Sequence, residues 1–352
     1  MKNAKILMKG NIAVCEGAIA AGCEAYFGYP ITPQNEIPAY MSQRMVELNR
    51  IFIQAESEVA AINMVFGAAV AGKRAMTSSS SPGISLKQEG ISYLAGCELP
   101  CVIVNVQRGG PGLGNISGSQ SDYFQATKGG GHGDYRLIVL APNSVEEMFS
   151  LTFLGFDLAD KYRNPTMILS DGIVGQMMEP IESIEDRNLK LIDYKKDWKL
   201  DGCKGRKPRL IRSLMMGEGE LARHNRHLEE KYTEIKKNEI RYETDSIDDA
   251  EIVIVAFGIS ARICKAALRK LRQQGKKVGL IRPITLWPFP EKIIYDVSKK
   301  IKKILVVEMN LGQMVEDVNL SVKGNCPVEF LGAPGGTVFD EEEVISKIVK
   351  MQ

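Results

Sequence analysis

Short apolar segments alternate with helix-type segments along most of this chain, and no other sequence feature constrains the fold as strongly. The clearest apolar segment, 101–106, has one polar residue, Asn105, and matches a strand that is buried on both faces. Comparable segments occur at 51–54, 75–77, 137–140, 167–170, 252–257, 278–281, 304–308 and 328–331. Continuous apolar strands joined by helices are typical of a parallel sheet that helices cover on both faces. The sequence therefore predicts an α/β fold.

The composition divides the chain into three parts. Residues 1–179 and 250–352 carry the strand–helix alternation, whereas 180–249 is rich in charged residues and has weak apolar periodicity. We interpret 180–249 as a charged connecting segment with a helix near 218–237. A chain of 352 residues is long enough for two domains with separate cores. We therefore expect two parallel-sheet α/β domains, one on each side of the connecting segment.

Charge and cysteine content argue against several classes of function. The net charge of +2 gives no reason to expect nucleic acid or an acidic membrane as a partner. The sequence shows neither an apolar segment of membrane-spanning length nor a signal-peptide pattern. The seven cysteines include no Cys-x-x-Cys pair, so we do not expect this chain alone to hold zinc or an iron–sulfur cluster. Reduced thiols in a chain without an export signal favour a cytoplasmic location.

The most distinctive local pattern begins at a proline-rich turn. Thr32 lies between Pro30 and Pro33, whose rings restrict the backbone and so fix the direction of the threonine. The sequence predicts Pro33 at the first position of a helix. Thr32, at a strand end, is either a ligand-binding hydroxyl or a helix cap.

A second helix is predicted to begin near Glu58. Apart from Asn63, the segment 59–72 has no polar residue, so this helix is expected to be buried on nearly all sides. Apolar surroundings at the N-terminus of such a helix favour the protonated form of a carboxylate. Glu58 therefore has two interpretations. It is either a chemically active acid or an ordinary acidic residue that stabilises a helix start.

Arg108 follows the apolar segment 101–106 and lies in the glycine-rich segment 107–114. Ligands of open α/β sheets bind at the carboxyl ends of the strands, where this arginine is predicted to lie. A guanidinium group in that place suits a planar carboxylate, which it can hold by two parallel hydrogen bonds. The alternative interpretation is a structural ion pair.

Several other patterns are weaker. The segment 67–73 has the spacing of a phosphate-binding loop, but Arg74 replaces the Ser or Thr that such a loop needs, and the segment ends a helix. The glycines at 112, 114 and 118 miss the dinucleotide spacing by one position. His224 and His227 are expected on a solvent-exposed helix face. His132 lies in a glycine-rich loop that either closes over a ligand or forms a long turn.

Four motifs together resemble the alpha subunit of the 2-oxoacid:ferredoxin oxidoreductases. They are Tyr29-Pro30-Ile31-Thr32-Pro33, Glu56-Ser57-Glu58-Val59-Ala60-Ala61, Gln107-Arg108-Gly109-Gly110-Pro111-Gly112 and Gln120-Ser121-Asp122. The segments 27–36 and 78–86 look closest to the branched-chain type, which acts on 3-methyl-2-oxobutanoate (2-ketoisovalerate). The 2-oxoglutarate enzymes share most of these motifs and are the alternative. The resemblance implies a pyrimidine-binding-type domain for thiamine diphosphate at 1–179 and a transketolase-C-terminal-like domain at 250–352.

The resemblance also implies roles for individual residues. Glu58 would be the catalytic acid, which hydrogen-bonds N1′ of the aminopyrimidine ring and so promotes loss of the proton from C2 of the cofactor. Tyr29 and Pro30 would belong to the cofactor-binding segment. Thr32 and Arg108 would hold the carboxylate end of the 2-oxoacid. The family reaction is an oxidative decarboxylation that yields an acyl-coenzyme A and passes electrons through iron–sulfur clusters to ferredoxin.

Part of the expected site is missing from this sequence. There is no Gly-Asp-Gly motif with a downstream Asn for Mg²⁺ and the diphosphate, and Ser170-Asp171-Gly172 is only a partial match. No metal site is expected here, and the resemblance implies a beta subunit with the diphosphate and Mg²⁺ site, a gamma subunit and a ferredoxin-like delta subunit. Two alternatives are disfavoured: a non-catalytic assembly subunit, by Glu58, Arg108 and Thr32, and an NAD-dependent dehydrogenase, by the missing dinucleotide motif.

Overall fold

A computed structural model describes residues 5–184 and 187–351 of the chain. The N-terminal part contains, in chain order, β1 (Lys5–Lys9), α1 (Gly10–Ala20), β2 (Ala25–Gly28), α2 (Glu36–Glu47), β3 (Ile51–Gln54), α3 (Glu58–Val70), β4 (Ala75–Ser79), α4 (Ser81–Gly96), β5 (Val102–Gln107), α5 (Tyr123–Thr127), β6 (Ile138–Leu140), α6 (Val145–Tyr162), β7 (Thr166–Asp171), α7 (Gly172–Gln176) and β8 (Met178–Glu182). The C-terminal part contains α8 (Glu220–Asn238), β9 (Tyr242–Asp245), β10 (Ile252–Ala256), α9 (Gly258–Gln273), β11 (Val278–Pro283), β12 (Thr285–Trp287), α10 (Glu291–Ser298), β13 (Lys303–Glu308), α11 (Met314–Val322), β14 (Val328–Gly332) and α12 (Glu341–Met351).

Two mainly parallel sheets form the centre of the structure, which confirms the predicted α/β fold. The larger sheet has seven strands in the order β12-β6-β7-β5-β4-β2-β3, and only the edge strand β12 is antiparallel to its neighbour. The smaller sheet has the order β14-β13-β10-β11-β9, with β9 as its antiparallel edge. Strand β5 is buried along its whole length, as its apolar run requires.

Three strands, β8, β9 and β12, were not predicted, because each is short and pairs with a partner far away in the sequence. Strands β1 and β8 form a small antiparallel sheet of their own. Strand β9 lies in the predicted connecting segment and joins the smaller sheet, whereas β12 lies within 250–352 and joins the larger sheet. The charged helix expected near 218–237 is α8. The division at 179 and 249 stays a prediction.

Helix α3 is not buried on all sides, which corrects the prediction for 59–72. Val59, Asn63 and Gly67 are exposed, and Val59 retains 44% of its surface. These positions are four residues apart, so they form one stripe along the helix. The opposite stripe, which includes Ile62 and Val65, is buried. The apolar sequence thus leaves an uncovered apolar face on this chain.

The predicted helix start at Pro33 was wrong. Pro33 is not at the first position of a helix, because α2 begins at Glu36 and Thr32-Pro33 form a turn before it. Asn11 lies inside α1, and its amide donates to Pro33 O at 2.9 Å. Ser260 lies inside α9, where its hydroxyl donates to Gln120 Oε1 at 2.5 Å.

Gln120 and Arg282 join the two sheet regions. The buried side chain of Gln120 donates to the main-chain oxygen of Phe257 at 2.9 Å and accepts from the main-chain nitrogen of Met309 at 3.0 Å. Arg282 is 2% exposed and makes two hydrogen bonds to Glu147, at 2.8 and 2.6 Å. These buried contacts hold the C-terminal sheet in a defined position against the N-terminal one.

Within residues 5–184 and 187–351, no helix is both long and apolar enough to cross a membrane. All seven cysteines are free thiols, six of them buried and Cys203 exposed.

Candidate active site

The carboxyl ends of β2, β4 and β5 lie side by side in the larger sheet, because β4 pairs with both of the others in parallel. The proline turn follows β2, the serine-rich segment follows β4, and Arg108 follows β5. Glu58 begins α3 after the neighbouring edge strand β3. The topology therefore brings together, along one sheet edge, motifs that are far apart in the sequence.

The proline turn is tied to the rest of the fold through its main chain. Pro33 O accepts hydrogen bonds from Asn11 Nδ2 and Gln176 Nε2, both at 2.9 Å. The same two amides donate to Glu36 Oε2, also at 2.9 Å. This bracing fixes the turn on the side away from the sheet edge. Tyr29 and Pro30, the two predicted cofactor-binding residues of this turn, are exposed.

Thr32 is not a helix cap, because it lies four positions before the first residue of α2. Its hydroxyl accepts a hydrogen bond from Asn35 Nδ2 at 3.1 Å, and its main-chain oxygen accepts one from Arg108 Nη1 at 2.9 Å. The structure therefore brings the two predicted substrate-binding residues into contact.

Arg108 is 8% exposed and has no ion-pair partner among the described residues, so the ion-pair interpretation is wrong for this chain. Its guanidinium group donates to two main-chain oxygens, Thr32 O at 2.9 Å and Leu113 O at 3.0 Å. Its buried Nε has no hydrogen-bond partner. A buried cation without a counter-ion is unfavourable unless something supplies an anion. Arg108 therefore presents a buried guanidinium group whose charge no carboxylate among the described residues balances.

Glu58 is 6% exposed at the first position of α3. The helix start is capped by the preceding Ser57, whose Oγ accepts from Ala60 N at 3.1 Å. No hydrogen bond or ion pair joins the Glu58 carboxylate to another described side chain. Gly83 lets this carboxylate approach α4, since a Cβ at Gly83 would lie 2.6 Å from Glu58 Oε1. A larger residue at 83 would displace Glu58.

The first turn of α4 contacts the Glu58 carboxylate and the main chain of Arg108. Ser81 Oγ accepts from Arg108 N at 3.0 Å, and Gly83 lies against Glu58. Ser79 Oγ and Ser80 Oγ, just before this turn, are buried and have no partner. Buried hydroxyls in proteins are nearly always hydrogen-bonded, so these two orphaned groups mark the edge as a place for a polar ligand.

A buried network of side-chain hydrogen bonds reaches the main chain of the proline turn. Tyr26 OH donates to Ser78 Oγ at 2.6 Å, and Ser78 Oγ donates to Gln34 Oε1 at 2.5 Å. Gln34 Nε2 in turn donates to the main-chain oxygen of Tyr29 at 3.2 Å. Burial raises the pKa of Tyr26 far above its usual range, so this phenol stays a donor.

Sequence reasoning missed Lys87, a wholly buried lysine in α4. Its position falls on the buried stripe that also contains Ile84 and Ile91. A lysine on an otherwise apolar stripe at i, i+3 and i+7 was the available signal.

Asp122 explains the third residue of the Gln120-Ser121-Asp122 motif. It accepts from Ser81 Oγ at 2.7 Å and from Asn105 Nδ2 at 2.9 Å, and burial raises its pKa. Asp122 lines a cavity of about 450 Å³ between the glycine-rich loop and the smaller sheet. The other lining residues are neutral: Ser81, Pro82, Ser85, Gly110, Pro111, Gly112, Ser121, Gln125, Asn310, Leu311, Gln313, Pro334 and Gly335.

The weaker motifs have structural roles. Asp171 caps α7 by accepting from Ile173 N at 2.9 Å and Val174 N at 3.1 Å, and burial raises its pKa to about 6. His224 bonds to Gly96 O, and His132 is exposed with its ring against Tyr93. The loop around His132 packs on the C-terminal half of α4. Among the described residues, no group of three or more His, Cys, Asp or Glu is arranged to hold a metal ion.

Comparison with known proteins identifies the family. The model for the thiamine-diphosphate-binding part of the pyruvate flavodoxin/ferredoxin oxidoreductases matches residues 16–249, and the model for core domain II of pyruvate:ferredoxin oxidoreductase matches 250–344. The chain belongs to the 2-oxoacid:ferredoxin oxidoreductase family. The resemblance carried by the four sequence motifs is thereby confirmed.

Relatives within the family differ in the substrate that their names give. A ketoisovalerate oxidoreductase subunit VorB from Methanothermobacter marburgensis is 51% identical, over 97% of this chain and 96% of its own length. A 2-oxoglutarate synthase subunit KorA from Methanocaldococcus jannaschii is 38% identical, over 96% of this chain and 97% of its own length.

Solved structures agree on the fold. The 2-oxoglutarate:ferredoxin oxidoreductase from Magnetococcus marinus, whose title names bound 2-oxoglutarate, coenzyme A and succinyl-CoA, superimposes with a TM-score of 0.88 at 28% identity. The match covers 99% of this chain and 65% of that one. A split-gene transketolase matches with a TM-score of 0.60 at 11% identity, over 97% of this chain and 95% of that one, which shows a shared fold.

Proposed function

We propose that this chain is the subunit of a 2-oxoacid:ferredoxin oxidoreductase that binds the aminopyrimidine part of thiamine diphosphate and the carboxylate of the 2-oxoacid. The observation that carries the proposal is the first turn of α4, where Gly83 lies against the buried Glu58 carboxylate and Ser81 Oγ accepts from the main-chain nitrogen of Arg108. An uncompensated buried cation and an acid without a hydrogen bond are thus neighbours of one helix start. Such a pair of unlike groups is typical of an active site.

Glu58 fits the role of the acid that hydrogen-bonds N1′. It is buried, its carboxylate has no competing hydrogen bond among the described residues, and Gly83 leaves room at Oε1. Tyr29 and Pro30 are exposed at the same edge and are proposed to contact the cofactor ring. Thiamine diphosphate, when bound, would supply at C2 the nucleophilic carbon that attacks the substrate carbonyl. The proposed role of this chain is to hold a proton at Glu58 and to exclude water around that residue.

Arg108 and Thr32 are proposed to bind the substrate carboxylate. The guanidinium group already has two main-chain partners, which hold it in place, and its buried Nε is free to donate. The Thr32 hydroxyl lies in the turn whose main-chain oxygen contacts Arg108. A guanidinium group that is held in place beside a hydroxyl suits the carboxylate of a 2-oxoacid.

We propose a branched-chain 2-oxoacid, 3-methyl-2-oxobutanoate, as the preferred substrate. Sequence identity supports this choice over 2-oxoglutarate, at 51% against 38% for relatives with those names. The cavity beside the glycine-rich loop adds support. Its lining contains no lysine or arginine to pair with a second carboxylate, and it includes the apolar side chains of Pro82, Pro111 and Leu311. An aliphatic tail suits such surroundings better than a second negative charge does.

Partner subunits are proposed to complete the site. Next to it, the edge strand β3 exposes Ile51 and Ile53, which retain 47% and 42% of their surface, and α3 exposes Val59. Contiguous exposed apolar residues are typical of protein interfaces. We infer that a beta subunit brings the diphosphate and Mg²⁺ site, that gamma and ferredoxin-like delta subunits complete the complex, that partner chains hold the iron–sulfur clusters, and that ferredoxin accepts the electrons. The free thiols support a cytoplasmic location.

Reconstitution tests the proposal. The chain alone is expected to bind thiamine diphosphate weakly and to reduce no dye with any 2-oxoacid, whereas the assembled complex should act on a panel of 2-oxoacids with 3-methyl-2-oxobutanoate preferred. Micromolar cofactor affinity together with dye reduction by the isolated chain would overturn the shared site. A preference of the complex for 2-oxoglutarate would overturn the substrate assignment alone.

A further inference from the structure

Five hydroxyl side chains follow one another at 77–81, where β4 ends and α4 begins, and they differ in their hydrogen bonding. Three of them have side-chain partners: Thr77, Ser78 and Ser81. The hydroxyls of Ser79 and Ser80 are buried and have no partner among the described residues. Because buried hydroxyls in proteins are nearly always hydrogen-bonded, each of these two serines needs an explanation.

The two serines without partners point in opposite directions. Ser79 is the last residue of β4, and Ser80 continues the extended backbone with φ −132° and ψ 136°. Successive side chains of an extended chain point to opposite faces. Ser79 Oγ lies against Gly83, since a Cβ at Gly83 would be 2.1 Å from it, whereas Ser80 Oγ is not among the three atoms nearest to that position.

Gly83 also brings Ser79 close to Glu58. The same Cβ position is 2.6 Å from Glu58 Oε1, so Ser79 Oγ and Glu58 Oε1 are no further apart than the sum of these two distances. The two oxygens are not hydrogen-bonded in the structure, and Ser79 Oγ has no other partner among the described residues. The terminal torsion of a glutamate is soft, so a rotation of the Glu58 carboxyl group is enough to bring Oε1 within reach of the hydroxyl.

We propose that Ser79 is a positioning residue, whose hydroxyl donates to Glu58 Oε1 while Oε2 of the same carboxyl group offers its proton to N1′. This inference rests on the proposed role of Glu58. A protonated carboxyl group has one donor oxygen and one oxygen that only accepts. A hydrogen bond from Ser79 fixes Oε1 as the acceptor and so leaves the proton on Oε2. The same bond stabilises the negative charge that Glu58 gains as its proton shifts towards N1′.

The first test measures the stability of the full-length chain without cofactor. A hydroxyl that has no partner contributes no hydrogen bond to the fold, so Ser79→Ala should leave the free energy of unfolding unchanged or raise it. Ser80→Ala is the matched control, because it removes the neighbouring hydroxyl that also lacks a partner. Chemical denaturation measures both variants. A clear loss of stability in Ser79→Ala alone would show that the fold itself uses this hydroxyl, and the proposal would be overturned.

The second test follows hydrogen–deuterium exchange at C2 of thiamine diphosphate bound to the assembled complex. Ser79→Ala should slow this exchange about tenfold, the effect of losing one hydrogen bond. Ser80→Ala should exchange at the unsubstituted rate. Isothermal titration calorimetry should give nearly the same cofactor affinity for both variants, because Ser79 acts on Glu58 and not on the cofactor. If affinity falls as much as exchange does in Ser79→Ala, Ser79 binds the cofactor directly and the positioning role is wrong.

A double variant tests whether Ser79 acts through Glu58. In that case, adding Ser79→Ala to Glu58→Gln should not slow exchange any further. A further loss of about tenfold would show that the two residues act independently, which contradicts the proposal. Slow exchange in Glu58→Gln together with normal exchange in Ser79→Ala would refute the role of the serine alone. Normal exchange in Glu58→Gln would refute the proposed function of Glu58 itself.

Discussion

The carboxyl edges of the two main sheets each hold a buried glutamate, and the two carboxylates differ in how many hydrogen bonds they accept. Glu308, at the end of β13, is 0% exposed, and its oxygens accept from Asn310 Nδ2 at 2.9 Å and from the main-chain nitrogens of Gln313, Met314 and Val315 at 3.3, 2.8 and 3.0 Å. Glu58 is nearly as buried, but no described residue donates to its carboxylate. The same residue type at equivalent edges thus serves two purposes.

The difference separates structural from functional burial. A buried carboxylate with four donors is satisfied by the fold itself and anchors the start of α11, even though burial raises its pKa. A buried carboxylate without donors, next to an arginine without a counter-ion and serines without partners, leaves polar groups for a ligand to satisfy. The proposed site lies at the carboxyl edge of the larger sheet, because polar groups there lack hydrogen-bond partners among the described residues.

The largest expected effect follows from Glu58→Gln. The amide keeps the size of the side chain, so folding and assembly should persist, but it cannot share a proton with N1′. Exchange at C2 of bound thiamine diphosphate should fall about 10²–10⁴-fold. Glu56→Gln should exchange normally, because Glu56 is exposed and outside the site. Exchange at the unsubstituted rate in Glu58→Gln would make Glu58 a helix-start residue only.

Arg108→Ala should have the next largest effect. The substrate carboxylate would lose a charge-assisted partner, so the Michaelis constant for the 2-oxoacid should rise roughly 10- to 100-fold, about 1.5–3 kcal/mol. Steady-state kinetics of the assembled complex measure this change. Arg108 also holds Thr32 O and Leu113 O, so the melting temperature must be recorded alongside. Loss of folding with unchanged kinetics in the surviving enzyme would instead give Arg108 a structural role.

Glu308→Gln should show the opposite pattern to Glu58→Gln, with lower stability and unchanged exchange at C2. The amide puts an NH₂ group against main-chain donors, which should lower the free energy of unfolding by about 1–3 kcal/mol. Exchange at C2 in the complex that still folds should not change. Chemical denaturation and the exchange assay together check this prediction. Slowed exchange with normal stability would remove the distinction between the two edges.

The smallest effect is expected from the helix caps. Ser57→Ala removes the acceptor of Ala60 N, which should cost about 1 kcal/mol in free energy of unfolding. Ser144→Ala is the matched control, since Ser144 caps α6 by accepting from Glu147 N at 3.2 Å. Both variants should lose similar stability, but only Ser57→Ala should also slow C2 exchange, because its cap orients the start of α3 beside Glu58. Equal exchange in the two variants would show that Glu58 is positioned without its cap.

The sequence by itself determined the features that depend on neighbouring residues. Continuous apolar runs such as 101–106 specify buried parallel strands, because only such strands need apolar residues on both faces. Ser144 caps α6 by accepting from the main-chain nitrogen of Glu147, a contact that depends only on residues three apart in the sequence. The four motifs that identified the family are also local.

Only the tertiary structure decided what depends on contacts between distant residues. Strands β9 and β12 are too short to be recognised alone and exist through pairing with β11 and β6. Whether Arg108 meets a carboxylate, and whether Lys87 is buried, cannot be deduced from their neighbours in the chain. Burial and hydrogen-bond satisfaction result from packing between segments that lie far apart in the sequence. For that reason the sequence indicated where the site lies, whereas the fold decided which of its polar groups lack partners.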